Sequence, residues 1–575
     1  MTAPGTATRV RSHVARRSSA RPLPAPLTYA IVAQGLLSGS RAGSGMSRGT
    51  GMTAAIGIAA RPLFLACVLM LSGPLALASD APEVALDPSY AGAPAEVREF
   101  LVAAHAADLI TDPLGRCLAF PDLPGNQWPE GMARAHCEAN HGPKITLAQV
   151  QDLLDRDAVS GIDALFAADL ERHFSATGFS EAIHSDFHAF DASYEAGRLT
   201  KAWLDKAPGS AYGQAARASY YRRMAWQARG YEWMKDTPGE NVVRMREFAA
   251  LAVKHYRRAI EIEPRLLPAY VGLINIANMI SDSGMEQWAL QAARSVDPAC
   301  PDVAATRMAS LEPRWGGSYA LMQAFADEQA PFVSRRPLLA LSIVAPAIDA
   351  ANVLMDSDQY AQAIEVLRPV ALRATAPDAQ EDLADSMLQI GQGSWMTLVH
   401  LLEAARFRQG RPYIVRTLGR SLLWHARDPA WALRYLKQAN RLDPDDAYVH
   451  YLMASSYRRL GRIADAERHY RIAIEDDEVE NLRRDSLHEL VTTLGEGQQY
   501  EKALVEVEIL NREFPEFALG WRDRFLVLGP MGMEGGLEAA EKYVELADRS
   551  DPAVREDVEQ LERGIAKLRE EIDGR

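Results

Sequence analysis

Four cysteines in 575 residues are too few for a disulfide-built scaffold, and aromatic residues make up only 8% of the chain. With alanine and leucine abundant instead, the composition leans helical. No stretch alternates apolar and polar residues with β-branched enrichment for long, so strands are not expected. The G-x-S-x-G nucleophile turn, the phosphate-cradling G-x-x-x-x-G-K-S/T loop and the glycine fingerprint of a dinucleotide fold are all missing. These absences point away from an enzyme and from a bound cofactor. Apolar residues at 48% and charged residues at 24% exclude collagen, mucin and wholesale disorder. A chain this long exceeds a single core, so several domains or a repeat array is expected.

Charge is unevenly placed. Residues 1–78 hold eight arginines with neither lysine nor acid. The other 54 basic residues therefore face all 76 acids, a net charge of −22 against −14 for the whole chain. So acidic a body repels a phosphate backbone unless a local basic patch overrides it, and no nucleic-acid partner is expected.

Residues 63–78 form an apolar run, interrupted by Gly73 and Pro74, that ends in Ala76-Leu77-Ala78. It is shorter than the roughly 20 residues of a membrane-spanning helix, follows Arg61, and has the small-x-small ending of a cleaved signal peptide. The expectation is export to a periplasmic or extracellular space with cleavage near Ala78, translation starting at Met46 or Met52, and residues 1–45 an upstream extension. Arg16-Arg17 lies too far upstream for a twin-arginine signal, and Cys67 reads as a signal-peptide cysteine rather than a lipidation site. No other segment is apolar enough to suggest a membrane span. In an oxidising compartment Cys117 and Cys137, which bracket a loop-forming G-N-Q-W-P-E-G stretch, are natural disulfide partners. A metal site from Cys117, His136, Cys137 and His141 is the sharper alternative, but adjacent His-Cys ligands suit one tetrahedral ion poorly. Cys300 is expected as a partly buried thiol in an inter-repeat turn.

Residues 447–478 carry the clearest repeat. Ala454, Tyr457, Ala466, Tyr470 and Ala473 fall at the small and large positions by which two antiparallel helices interlock, and Gly461 breaks the first helix at the turn. The unit resembles a tetratricopeptide repeat (TPR). Ala432, Leu436, Ala439 and Asp443-Pro444 fit the unit before it, and Leu490, Leu494, Tyr500, Ala503 and Pro515 the one after. Upstream, Ala252, Tyr256 and Ala259 precede Pro264, and Pro298 follows one TPR period later. Ala351, Tyr360, Ala363 and Leu367 suggest another pair. The resemblance implies an all-α solenoid of antiparallel helical hairpins.

A second resemblance covers residues 160–330. Ala207-Pro208-Gly209-Ser210-Ala211, Ala225-Trp226-Gln227-Ala228-Arg229-Gly230 and Pro313-Arg314-Trp315-Gly316-Gly317-Ser318 follow one another as in the domain-of-unknown-function 4034 family. That family implies an architecture and no reaction. Gln287-Trp288 and a loop at 237–241 depart from its pattern. The expected organisation is an extension with signal peptide (1–78), a disulfide-tied region (79–159), the family domain (160–330), TPR-like repeats (331–545) and an acidic C-terminal helix (546–575).

Two functions are set against each other. The first is a scaffold whose solenoid groove holds a protein or peptide partner. Trp226, Arg229, Arg314 and Trp315 offer arginine–indole stacking or a carboxylate grip. On the first helix of the clearest repeat, Tyr448, Tyr451 and Arg458 offer aromatic area beside a cation. The plainer reading makes both tryptophans hairpin-core residues, with Gly316-Gly317 allowing close approach before Ser318 caps a helix. The second function is a metal-dependent hydrolase: His184 and His188, four apart, share a helix face, with His173 as third ligand. Ser185 stands where a metalloprotease helix needs glutamate, which favours the scaffold.

Overall fold

The computed structural model describes residues 90, 92–175, 180–230, 236–408, 411–475 and 481–573. The expected signal peptide and the extension before it lie outside them. Among the described residues there are 26 α-helices and no strand.

The helices pack in successive antiparallel pairs, among them Leu267–Ile280 with Ser283–Val296, Pro412–Trp424 with Pro429–Leu442, and Ala447–Arg459 with Ile463–Ile474. The hairpin turns show why. Each puts one residue into the left-handed region, and such residues recur as Asp358, Gly391, Arg427, Gly461, Gln498 and Gly532. That is the roughly 34-residue TPR period, written in the backbone even where no glycine marks it. Caps start the helices: the carboxylates of Asp282, Asp428 and Asp446 accept from the backbone N–H groups of Met285, Trp431 and Val449 at 2.9, 2.9 and 3.0 Å.

Packing follows the sequence pattern. Ala454, Tyr457, Ala466, Tyr470 and Ala473 are all buried, as are Ala432, Leu436, Ala439, Ala252, Tyr256 and Ala259. Small residues let large ones in: a Cβ on Gly272 would lie 2.2 Å from Cζ of Tyr256 in the preceding helix, Gly239–Ile262. That helix begins at Gly239, inside the stretch expected as a loop at 237–241. The chain is an all-α array of TPR-like helical hairpins.

One expectation is corrected. The helix Leu339–Asp356 is long and apolar enough to cross a membrane by length and composition, with a mean hydropathy of 1.5. Its character has a local reason: helices Pro301–Ser310, Tyr319–Gln329 and Tyr360–Arg373 pack around it, and it carries a buried Asp349.

The chain divides into two compact units. Residues 79–506 contain the disulfide region and most hairpins; the described part of the other unit runs from Val507 to Asp573 and packs Ala518–Met531, Gly536–Leu546 and Pro552–Asp573 around Phe525, Tyr543 and Val558. The division falls within the helix Tyr500–Glu513.

In the first unit, Cys117 and Cys137 form a disulfide between the short helices Pro113–Ala119 and Met132–His141. The tied segment docks onto hairpins more than 200 residues away. Trp128 Nε1 donates to the Ala371 carbonyl at 3.1 Å, Asn140 Nδ2 to the Phe407 carbonyl at 2.8 Å, and Arg406 Nε to the Cys117 carbonyl at 3.0 Å. His136 stacks on Phe407 at 4.5 Å and pairs through Nδ1 with the Thr375 hydroxyl at 2.8 Å. His141 Nε2 meets the Arg406 carbonyl at 3.0 Å, and with both thiols in the disulfide these bonds make His136 and His141 packing residues. Cys300 is fully buried, deeper than expected, and precedes the helix Pro301–Ser310.

Candidate functional site

A cleft of about 330 Å³ opens where the N-terminal segment meets the hairpins. Its walls carry Arg116, Arg408, Arg411, Arg434, Lys437 and Arg441 against two carboxylates, Asp108 and Glu381. Ile414 and Val415 give it an apolar floor.

Three of the cations are neutralised. Arg116 Nε donates to Asp108 Oδ1 at 2.6 Å. Burial pulls the Arg116 guanidinium down, but the adjacent Tyr435 and Asp108 outweigh it and hold it above its ordinary value. Arg408 forks onto Asp378, and Arg411 pairs with Glu381. The other three sit on the single helix Pro429–Leu442. Arg434 donates to the backbone carbonyl of Asp108, Lys437 lies 5.8 Å from the centre of the Tyr457 ring, and no ion pair to a carboxylate is found for Arg434, Lys437 or Arg441 among the described residues. Spacings of three and four residues put all three on one helix face. The helix is held in place: Trp431 and Tyr435 are buried, and both donate to Asp108 Oδ2, the indole at 2.7 Å. The arrangement presents three uncompensated positive charges above an apolar floor, which suits carboxylate or phosphate groups of a bound chain.

The residues expected to bind a partner are scattered. Trp226 is 38% exposed, and Arg229 stacks over it at 5.3 Å, the arginine–indole pair that the sequence suggested. Trp315 is 57% exposed, while Arg314 turns to Glu312 and, at 3.4 Å, to Asp349. No hydrogen bond, ion pair or ring contact joins the two pairs among the described residues. Gly316 adopts φ +92°, a Cβ on Gly317 would meet the Leu311 carbonyl oxygen at 1.9 Å, and the Ser318 hydroxyl caps Leu321. The plainer reading of those glycines holds.

In the clearest repeat, Tyr451 does not face an open groove. It is buried, stacked against Tyr448 at 6.0 Å and edge-on to Tyr470 at 5.9 Å. Arg458 is mostly covered and pairs with Glu489 and Glu496 of the helix Leu482–Glu496. Arg458 ties one repeat to the next, Tyr451 packs within its own hairpin, and Tyr448 is half-buried.

The three histidines do not converge either. The helix Ala182–Asp186 gives way to a tighter 3-10 turn at Phe187–Ala189, so His188 is carried to the surface while His184 points inward. His173 and His184 do meet, with ring centres 5.4 Å apart.

Comparison with known proteins agrees with part of this reading. Residues 147–291 match the family described as a domain of unknown function (DUF4034). The match takes in Trp226 and Arg229 and begins before residue 160, and Pro313–Ser318 falls beyond its end. No curated protein matches the sequence. Among solved structures, a TPR protein with an unusual peptide-binding site, YrrB, is 19% identical with a TM-score of 0.28, over 31% of this chain and 89% of its own. The C-terminal part of a TPR repeat-containing protein from Cytophaga hutchinsonii is 16% identical with a TM-score of 0.29, over 35% and 78%. The Cut9–Hcn1 hetero-tetramer of APC/C is 10% identical with a TM-score of 0.31, over 81% and 96%.

The sequence reading missed the basic cleft. Arg434, Lys437 and Arg441 have a legible spacing, but charged residues on a repeat helix ordinarily read as solvated surface. Arg116, more than 300 residues earlier, joins them only through the fold.

Proposed function

We propose that the protein is an exported scaffold that holds a protein partner by an acidic segment, with no chemistry of its own. The observation that carries this is the face of Pro429–Leu442: three cations without carboxylate partners, in a chain of net charge −14. In such a chain an uncompensated basic cleft concentrates field and draws in an acidic ligand. The apolar floor at Ile414 and Val415 gives a flanking side chain somewhere to bury. The apolar run at 63–78 and the Cys117–Cys137 disulfide both support an oxidising compartment outside the cytoplasm.

The test uses a fluorescein-labelled poly-glutamate peptide and fluorescence anisotropy. Binding should weaken at least about tenfold on replacing Lys437 and Arg441 together by glutamate, and should fall with added salt. Trp226→Ala should leave it unchanged. Unaltered binding by the double variant would refute the cleft, and loss only on Trp226→Ala would move the site to the Trp226–Arg229 surface. Competition by a DNA oligonucleotide, but not by unlabelled peptide, would assign the cleft to phosphate. Export is checked by N-terminal sequencing of envelope protein, which should start at or near Ser79; a chain retaining 46–78 in the cytoplasm would refute it.

A further inference from the structure

Four side chains outside the cleft converge in the first unit. His173 ends the helix Val159–His173, Glu181 precedes and His184 lies within Ala182–Asp186, and Cys300 precedes Pro301–Ser310. One ligand-type atom from each lies within 4.8 Å of all the others. His173 Nδ1 faces Glu181 Oε2 at 3.4 Å, and both atoms are buried without a hydrogen-bond partner among the described residues. His184 Nε2 faces Cys300 Sγ at 3.5 Å. Around a tetrahedral zinc ion with bonds of about 2.0–2.3 Å, neighbouring ligand atoms lie about 3.3–3.8 Å apart. Two edges already have that length, and the others need to close by no more than about 1.5 Å.

The surroundings are those of a metal centre. Metal-binding histidines ordinarily give their second nitrogen to a carboxylate, which fixes ring and tautomer. Here His173 Nε2 lies 3.3 Å from Asp297 Oδ2, and His184 Nδ1 lies 3.6 Å from Asp302 Oδ2. Asp297 is itself held by the Ala299 N–H at 2.9 Å and by Arg336 Nη2 at 3.0 Å. Arg336 Nη1 grips the other oxygen of Glu181 at 2.9 Å, aiming Oε2 at the histidine. With Cys300 as thiolate and Glu181 as carboxylate, a dication is neutralised by its own ligands, and Asp297 neutralises Arg336. The buried cluster then carries no net charge, which low-dielectric surroundings require.

We propose that His173, Glu181, His184 and Cys300 form a structural site for one zinc-class divalent ion. It joins the end of Val159–His173 and the start of Ala182–Asp186 to the turn before Pro301–Ser310. All four ligands come from the protein and three of them are buried, with Glu181 nearly so, so no coordination position is left for substrate water. It differs from the trio expected for a hydrolase: His188 drops out, and Glu181 and Cys300 come in. The inference is independent of the cleft.

The test loads the full-length Cys67→Ser chain, disulfide intact, with zinc or cobalt. Elemental analysis after dialysis should find about one zinc per chain. Cobalt should give tetrahedral visible bands with a thiolate charge-transfer band, for which Cys300 is the one thiol left. Asp297→Asn should weaken zinc about 10–100-fold, and His188→Ala should leave it unchanged. Substoichiometric zinc, or a cobalt spectrum without the thiolate band, overturns the site. So does zinc retained equally by folded Cys300→Ala and His184→Ala. The cobalt spectrum of the Cys67→Ser chain decides the matter even where those variants fail to fold.

Discussion

Replacing Asp108 by alanine should detach the N-terminal segment from the hairpins. The carboxylate is 2% exposed and serves three buried donors: Arg116 Nε through Oδ1, and Trp431 Nε1 and the Tyr435 hydroxyl through Oδ2. Alanine leaves the Arg116 guanidinium buried without its counter-ion, and removing one partner of such a pair costs about 3–5 kcal/mol. The indole N–H and the phenol lose their acceptor as well, at about 1–3 kcal/mol each when no water replaces it. The losses overlap, because one rearrangement that admits water relieves all three. A net cost of about 5 kcal/mol is expected. Asp108→Asn keeps the volume and one acceptor oxygen and should cost about half as much. A global melt would blur the effect, since a chain of two units need not unfold in one step. Hydrogen exchange resolves it. Amides of Ala95–Asp108 and Pro429–Leu442 should exchange about a thousandfold faster or more in Asp108→Ala, while those of Ile463–Ile474 hold their protection. Unchanged exchange in the first two helices would refute the view that this carboxylate clamps the segment.

Further outcomes are expected. Non-reducing peptide mapping should find Cys117 linked to Cys137, and Cys137→Ser should lower stability by about 2–5 kcal/mol; two freely alkylated thiols in native protein would contradict this. Tyr451→Ala, at a buried position, should destabilise by about 3–5 kcal/mol in chemical denaturation, not merely weaken a surface. Ala466→Glu should collapse the 447–474 hairpin, and a folded Ala466→Glu protein would break the assigned register. Stability should fall as pH rises from about 6.5 to about 8. Burial pushes the Glu403 carboxyl up to about 8, and burial with Asp378 and Asp385 pushes Asp382 up to about 7. The folded chain thus keeps protons that the unfolded chain has released above its ordinary carboxylate range, and their stabilisation is lost as pH passes through the folded values. Glu403→Gln should flatten the melting temperature over that window, and an equally steep variant would refute the assignment. On the acid side, burial lowers His136 to about 3 and His400 to about 4, so their contribution is lost as pH drops below 6.5.

Much of the architecture was legible because a helical hairpin is a local object. Ala454, Tyr457, Ala466, Tyr470 and Ala473 lie within 20 residues, and their spacing alone states which faces must meet. The Cys117–Cys137 pairing was readable for the same reason, as two thiols across a short loop. What the sequence did not state is whether a particular side chain stays open. Tyr451 and Arg458 sit on the expected helix, but Tyr470 of its own hairpin covers Tyr451 and the next repeat engages Arg458, and spacing alone does not state which neighbour covers a side chain. His188 kept its four-residue spacing from His184, yet the helix tightened at Phe187 and turned it outward.

Sequence by itself determined the helices, their pairing into roughly 34-residue hairpins, the buried interlocking positions and the disulfide. Tertiary structure alone decided that Asp108 and Arg116 reach Trp431 and Tyr435, that six cations line one cleft, and that Cys300 lies beside His184. The physical reason is range. Periodicity fixes contacts within a hairpin, whereas docking across hundreds of residues follows from how successive hairpins stack, which no single segment specifies.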